Sequence, residues 1–263
     1  MQERKIRRSR AVKAEPAADA KAGPLSGISA IGGSSLTTRA YERLRDALIT
    51  GRLHPGDRLP FREVAHRLGI SVTPAREALL QLVAEKILAV ELPSGAIFVP
   101  RWTRDDYLQV RELRVLLECE AAAHATKHAP PSLASKLRRV HDRMVEARRV
   151  GDAEEAMLNH RAFHFAIYEA AKLPTLYGLI ENLWLRIGPL NYFEFRDLKG
   201  SAPDIQHDGG ESQRRHEHLM IVEALTHRDR VAIRFSLERD IRHGDASIVA
   251  ALRETPEPRV SPA

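Results

Sequence analysis

From Thr38 onward the apolar residues recur three and four positions apart, the interval of a helix with one buried face. Tyr41, Leu44, Leu48 and Ile49 predict a first helix over about 38–50. "GRLHPGDRL" interrupts it with Gly51, Pro55 and Gly56. Val64, Ala65 and Leu68 mark a second helix over 61–68, closed by Gly69. A third opens at "SVTPAREALLQLVAE", with Ser71 placed to cap it and Pro74 in the first turn, where a missing N–H does no harm. After Lys86 the pattern changes, and "ILAVELPSGAIFV" predicts two short strands turning at Pro93-Ser94-Gly95. Beyond them the helical interval returns. Thr103 and Asp106 form a capping-box pair opening a helix to about Lys127, where "HAPPS" stops it. Further helices are predicted over 132–150, 152–171, 174–188, 211–227 and 229–250, parted by Gly151, Pro174, Gly188-Pro189 and "KGSAPDIQHDGG". The class is therefore mainly α: an N-terminal winged helix-turn-helix followed by an all-α antiparallel helical bundle.

The domains follow from the same pattern. Residues 1–35, rich in Ala, Gly, Ser and Arg and without apolar periodicity, predict a disordered basic tail. Residues 36–101 form the winged unit, 102–250 the helical domain, and 251–263 a disordered C-terminal tail. Charge adds a direction. Residues 1–35 hold seven Lys/Arg against three Asp/Glu, and 36–101 hold ten against seven, so the whole excess of the +6 chain lies in its first hundred residues. That is the end expected to meet a polyanion. The 43% hydrophobic content supports a core, and the 5% aromatic content suits helix. One cysteine, Cys119, excludes an internal disulfide framework. No apolar run approaches the ~20 residues of a membrane span, and "MQERKIRRSRAVKAE" has charge but no apolar stretch behind it. These features point to the cytoplasm.

Helix, helix, short turn, helix and hairpin suit double-stranded DNA. The third helix fits a major groove, and its early residues are polar: Ser71, Thr73 and Arg76. Arg76 can grip a guanine edge or a phosphate. Arg62 on the second helix faces the DNA backbone, and the hairpin tip at Gly95 is bare enough to approach the minor groove. The stretch "LRDALITGRLHPGDRL…EVAHRLGISVTPAREALLQLVAEKIL" resembles the DNA-binding domain of GntR-family bacterial transcriptional regulators, over nearly all of 38–100. Members often carry a base-reading arginine directly after the serine of this motif; here the position is Val72. Valine can pack on a thymine methyl but cannot donate to guanine, so the operator is expected to differ from the family's commonest one.

The helical half poses a different question. In "LNHRAFHFAIYEA", His160 and His164 keep step with Met157, Phe163, Ile167 and Ala171, which puts two ionisable rings on a face that should be buried. In "RRHEHLMIVEAL", His218 shares a stripe with Ile221, Val222 and Leu225. In "AIRFSLERDIRHG", Asp240 shares one with Ile233, Ser236 and Leu237. With a turn near Arg228-Asp229, His218 and Asp240 stand almost equally far from it, within about 1.5 Å at helical rise. They should lie side by side, with His160 and His164 completing the ring. Three imidazoles and a carboxylate suit a divalent transition metal, Zn²⁺, Ni²⁺, Mn²⁺ or Fe²⁺. A metal would compensate polar groups that otherwise have no reason to be inside; core histidines bonded to backbone or water are the alternative. Asn159 and His243 are neighbouring donors should the register differ. His124 and His128, at a helix end, read as partners of its C-terminal dipole.

"FHFAIYEAA…HEHLMIVEALTHRDR" resembles the FCD-type ligand-binding domain of the FadR-like branch of the same family, over about 104–250. The resemblance implies four metal ligands falling on His160, His164, His218 and Asp240. Here His160 stands where an Asp is usual and Asp240 where a His is usual, so the carboxylate has changed places while the ligand count is kept. It also implies open metal positions for a small carboxylate effector, with Arg114 helping to bind the anion. For Arg114 the simpler reading is a pair with Glu118, one helical turn on. The function implied is a ligand-responsive, homodimeric DNA-binding regulator on a palindromic operator, a repressor released by its effector. A regulator for which the metal itself is the signal is one alternative. A metal-dependent hydrolase is another, but no dedicated general base is present and the first domain would go unexplained.

Overall fold

A computed structural model describes residues 35–191, 210–244 and 246–254. The expected N-terminal tail through Ser34, the "KGSAPDIQHDG" loop and residues 255–263 lie outside the described residues.

Helices α1 (Leu36–Ile49), α2 (Phe61–Leu68) and α3 (Val72–Ala84) precede strands β1 (Ala89–Glu91) and β2 (Ala96–Phe98). Ser35 Oγ accepts from Thr38 N and starts α1, so this residue belongs to the folded unit and not to the tail. Gly69, at φ +65°, ends α2 in the left-handed turn that glycine takes at least cost. Ser71 occupies the N-cap position of α3, but its hydroxyl accepts no capping bond. The strands pair antiparallel with Ala89 opposite Phe98, and Leu59 N–H donates to the Ile97 carbonyl beside them. Ala40, Leu44, Leu48, Leu79, Leu82 and Ile97 form the core. Leu68 sits at its edge, half-buried.

Among the described residues the regular structure of the second half is all helical: α4 (Arg104–His128), α5 (Ser132–Arg149), α6 (Ala153–Ala170), α7 (Pro174–Ile187), a one-turn 3₁₀ segment (Gly188–Leu190), α8 (Gly210–Thr226), α9 (Arg230–Gly244) and α10 (Ala246–Glu254). The Thr103–Asp106 capping box is formed. Helix α5 packs along α6, α8 along α9, and α4 against both α9 and α7, burying Phe163, Ile167, Trp184, Ile221, Ile233 and Leu237. Two expectations change. The single helix expected over 229–250 is described as two, α9 ending at Gly244 and α10 beginning at Ala246, with Asp245 outside the described residues. Helical structure also continues to Glu254, so residues 251–254 belong to the helix and not to the expected tail, because "IVAALRE" still carries Ile248 and Leu252 inward.

The halves share a seam. Leu185 of α7 belongs to the core of the winged unit, and Arg45 of α1 bonds Glu181 of α7 at 2.8 Å. Within the bundle, the α8–α9 turn is tied to the end of α4: Arg228, itself at φ +55°, donates to the Thr126 and Lys127 carbonyls. Among the described residues no helix is long and apolar enough to cross a membrane.

Candidate functional site

The winged unit presents the expected DNA-facing residues to solvent. Ser71, Val72, Thr73 and Arg76, in the first turns of α3 or just before it, are all exposed, as are Arg62 on α2 and Gly95 at the hairpin tip. The Arg76 guanidinium lies over the Phe61 ring, its Cζ 5.7 Å from the centroid, an exposed cation–π contact that steadies the group. Gly95 takes φ +69°, a conformation that favours glycine, and its N–H returns to the Glu91 carbonyl at 2.8 Å.

The bundle brings its four predicted donors together. One ligand atom from each of His160, His164, His218 and Asp240 lies within 4.8 Å of the others. His160 and His164 come from successive turns of α6, His218 from α8 and Asp240 from α9. Asp240 is the hub: Oδ2 lies 3.3 Å from His164 Nε2 and Oδ1 3.2 Å from His218 Nε2. His164, His218 and Asp240 are buried, and His160 is half-buried. Burial opposes charge on Asp240, but His218, then His164 and His160, outweigh it and hold the carboxyl well below the usual carboxylate range. The Nε2 of His218 is buried and makes no hydrogen bond, although Asp240 is so near. In the neutral ring with its proton on Nδ1, this nitrogen would offer a lone pair that a cation satisfies, and the donor set fits one.

A second ring of residues orients the first. Tyr168 O–H donates to Glu118 Oε2, and its oxygen lies 3.3 Å from His164 Nδ1. Glu118, fully buried, also accepts from Trp184 Nε1 at 3.0 Å and from Arg114 Nε at 2.6 Å. Burial works against the charge on Arg114, but Glu118 more than offsets it and keeps the guanidinium charged. Arg114 thus forms the pair with its own helix, and it also lines a small cleft with Tyr107, His160, Trp184, Asn191 and Asp240. On the far side His141 of α5, also buried, lies 3.3 Å from His218, Nδ1 to Nδ1.

The neighbouring donors go elsewhere. Asn159 Nδ2 donates to Glu155, and its Oδ1 accepts from Arg143. His243 is exposed beside Glu217. His124 pairs with Glu120 at 3.2 Å, and His128 ends α4. Tyr168, Trp184 and His141 escaped the reading of the sequence, and Glu118 entered it only as the partner of Arg114. His141 had a legible signal, since it stands four residues after Leu137 on the buried stripe of α5.

Comparison with known proteins agrees with both halves. Residues 36–99 match the family described as bacterial regulatory proteins, gntR family, and 109–243 match the FCD domain. The HTH-type transcriptional regulator McbR of Escherichia coli (strain K12) is 36% identical over 155 residues, covering 59% of this chain and 70% of McbR. The gluconate operon transcriptional repressor of Bacillus subtilis (strain 168) is 27% identical over 57% of this chain and 59% of the repressor. The solved E. coli McbR/YncC superposes with a TM-score of 0.73 at 28% identity, over 84% of this chain and 99% of that one. A transcriptional regulator GntR from Rhodococcus sp. RHA1 follows at 0.64 and 25%, over 83% and 99%. The chain belongs to the GntR family of bacterial regulatory proteins, DNA-binding transcriptional regulators rather than enzymes, with an FCD domain as its helical half.

Proposed function

We propose that the protein is a homodimeric repressor, released from a palindromic operator when a small organic acid binds at a metal site in the FCD domain. The observation that carries this reading is the convergence of His160, His164, His218 and Asp240 within 4.8 Å, three of them buried. Those four residues would hold the cation, Zn²⁺, Ni²⁺, Mn²⁺ or Fe²⁺ by donor type. When bound, it supplies a Lewis-acidic positive charge that attracts an anionic oxygen ligand. The chain does the rest. Tyr168 steadies His164 through Nδ1, and Trp184 packs against His160 and His164 at 5.5 Å between ring centroids. The small cleft bounded by Arg114 and Asn191 opens beside His160 and Asp240 and is where the acid would approach the cation. Repression is supported by the Bacillus relative, a repressor by name. A two-fold dimer suits a palindrome. The effector must bind the DNA-competent and incompetent states unequally to act at all.

The pairing of Arg114 with Glu118 favours a second reading. A guanidinium already neutralised has less to offer an incoming carboxylate, and the metal alone is then the signal.

The test joins metal content to DNA binding. Protein purified without a metal-affinity tag should carry about one equivalent of metal per chain by elemental mass spectrometry, and His218→Ala should lose it while keeping basal DNA binding. Operator affinity measured against a panel of small carboxylic acids, with and without Zn²⁺, separates the readings. Release that needs an acid supports the first, and release by Zn²⁺ alone the second. Wild type that carries no metal as purified and takes up none from added Zn²⁺ removes both.

A further inference from the structure

His141 is the one polar side chain among the buried residues of α5; the others are Leu133, Leu137, Val140, Met144 and Ala147. Its ring meets His218 edge to face, with centroids 5.4 Å apart and Nδ1 3.3 Å from Nδ1. The other face of the contact is apolar. Phe163 stacks on His218 at 4.4 Å and lies 6.4 Å from His141. A neutral imidazole carries one N–H and one lone pair. Two Nδ1 atoms at this distance therefore take opposite parts, one donating and the other accepting.

Which part each takes is decided by Nε2 of His218, the atom facing His164 and Asp240. A cation is bound through a nitrogen lone pair. If Nε2 offers its lone pair, the His218 proton must be on Nδ1, and His141 Nδ1 must be the acceptor, with its own proton on Nε2. We infer that His141 is a positioning residue: by accepting the Nδ1–H of His218 it holds that ring in the tautomer and orientation that turn Nε2 into the candidate metal site. The inference rests on the metal reading above. It gives His218 what Tyr168 gives His164, a fixed partner at Nδ1. It also makes α5, which supplies no ligand, part of the centre. Losing such an outer partner typically costs about 10–100-fold in metal affinity.

The test compares Zn²⁺ affinity, by competition with a chromophoric chelator, for the full chain as wild type, His141→Phe and His141→Asn. Phenylalanine keeps a ring and removes the acceptor. Asparagine places Oδ1 where Nδ1 stood and restores it. His141→Phe should bind Zn²⁺ about 10–100-fold more weakly, and His141→Asn should recover most of that loss. A phenylalanine variant that binds as tightly as wild type overturns the inference, as does an asparagine variant no tighter than phenylalanine. Ring-nitrogen NMR of Zn²⁺-loaded wild type decides the matter even if the phenylalanine variant does not fold. A proton on His218 Nδ1 and a bare Nδ1 on His141 are expected, and the reverse assignment overturns it. Wild type that binds no Zn²⁺ overturns the metal centre and this inference together, whereas equal binding by wild type and His141→Phe removes this inference alone.

Discussion

Leu48 of α1 presses its backbone against Gly188 at the end of α7, so closely that a Cβ on Gly188 would fall 2.5 Å from the Leu48 carbonyl oxygen. The glycine is there for closeness and not for an unusual φ, which is −47°. The neighbouring atoms are backbone and cannot swing aside. Gly188→Ala should cost about 1–3 kcal/mol, as overpacking does, and lower the thermal midpoint of the whole chain. An unchanged midpoint would mean that this seam yields easily.

Arg76→Ala should weaken operator binding by about 1–3 kcal/mol, roughly 5- to 150-fold, if the guanidinium reads a base edge. Its exposure means that the fold should not notice. Fluorescence anisotropy on operator DNA and a melting curve check the two halves of the statement. A variant that binds DNA as before would displace α3 from the groove.

Asp240→Asn removes the only carboxylate of the four-residue cluster. Loss of an outer-sphere partner alone costs about 10–100-fold in metal affinity, so loss of a donor should cost at least as much. Elemental analysis after dialysis against a chelator should find the metal retained by wild type and lost from the variant. Equal retention would take Asp240 out of the ligand set.

Tyr41 provides a pH dependence remote from that cluster. Its hydroxyl donates to Glu85 at 2.6 Å, and burial first, then Glu85, push the phenol up to about 12. The folded chain thus keeps this proton at a pH where the unfolded chain, near the ordinary value of about 10, has lost it. The stabilisation is whole below pH ~10 and disappears as the pH rises through about 12. Between about pH 9 and 11.5, urea unfolding should show a larger loss for wild type than for Tyr41→Phe. Parallel losses would show that Tyr41 is not linked to folding.

The part of the site that was legible in the sequence rests on rigid local geometry. Helical periodicity placed His160, His164, His218 and Asp240 inward, and the rise of α8 and α9 from their shared turn placed His218 beside Asp240, as found at 3.2 Å. What was not legible depends on which helix packs on which. Nothing local to His141 says that α5 will bring it to α8, or local to Tyr168 that its hydroxyl will find Glu118 on α4. Arg114 and Glu118 were legible as neighbours one turn apart, but not the Trp184 and Tyr168 donors that converge on the same carboxylate. The division of this stretch into α9 and α10 was missed for a related reason. Ile241 and Ile248 continue one apolar face across it, so the spacing looks like one helix where the backbone makes two.

The α8–α9 hairpin makes chain length, rather than residue type, the variable that protects the cluster. His218 and Asp240 are twenty-two residues apart, on arms that fold back at a turn which Arg228 fastens to the last carbonyls of α4. One residue inserted into the second arm would carry the carboxylate about 1.5 Å along the axis and roughly 100° around it, away from all three imidazoles. Substitutions on the outer faces of these helices, such as at Val231 and Phe235, leave that spacing untouched. Sequence drift there is cheap, whereas a single-codon insertion or deletion between the two donors would dismantle the centre without changing any of its members.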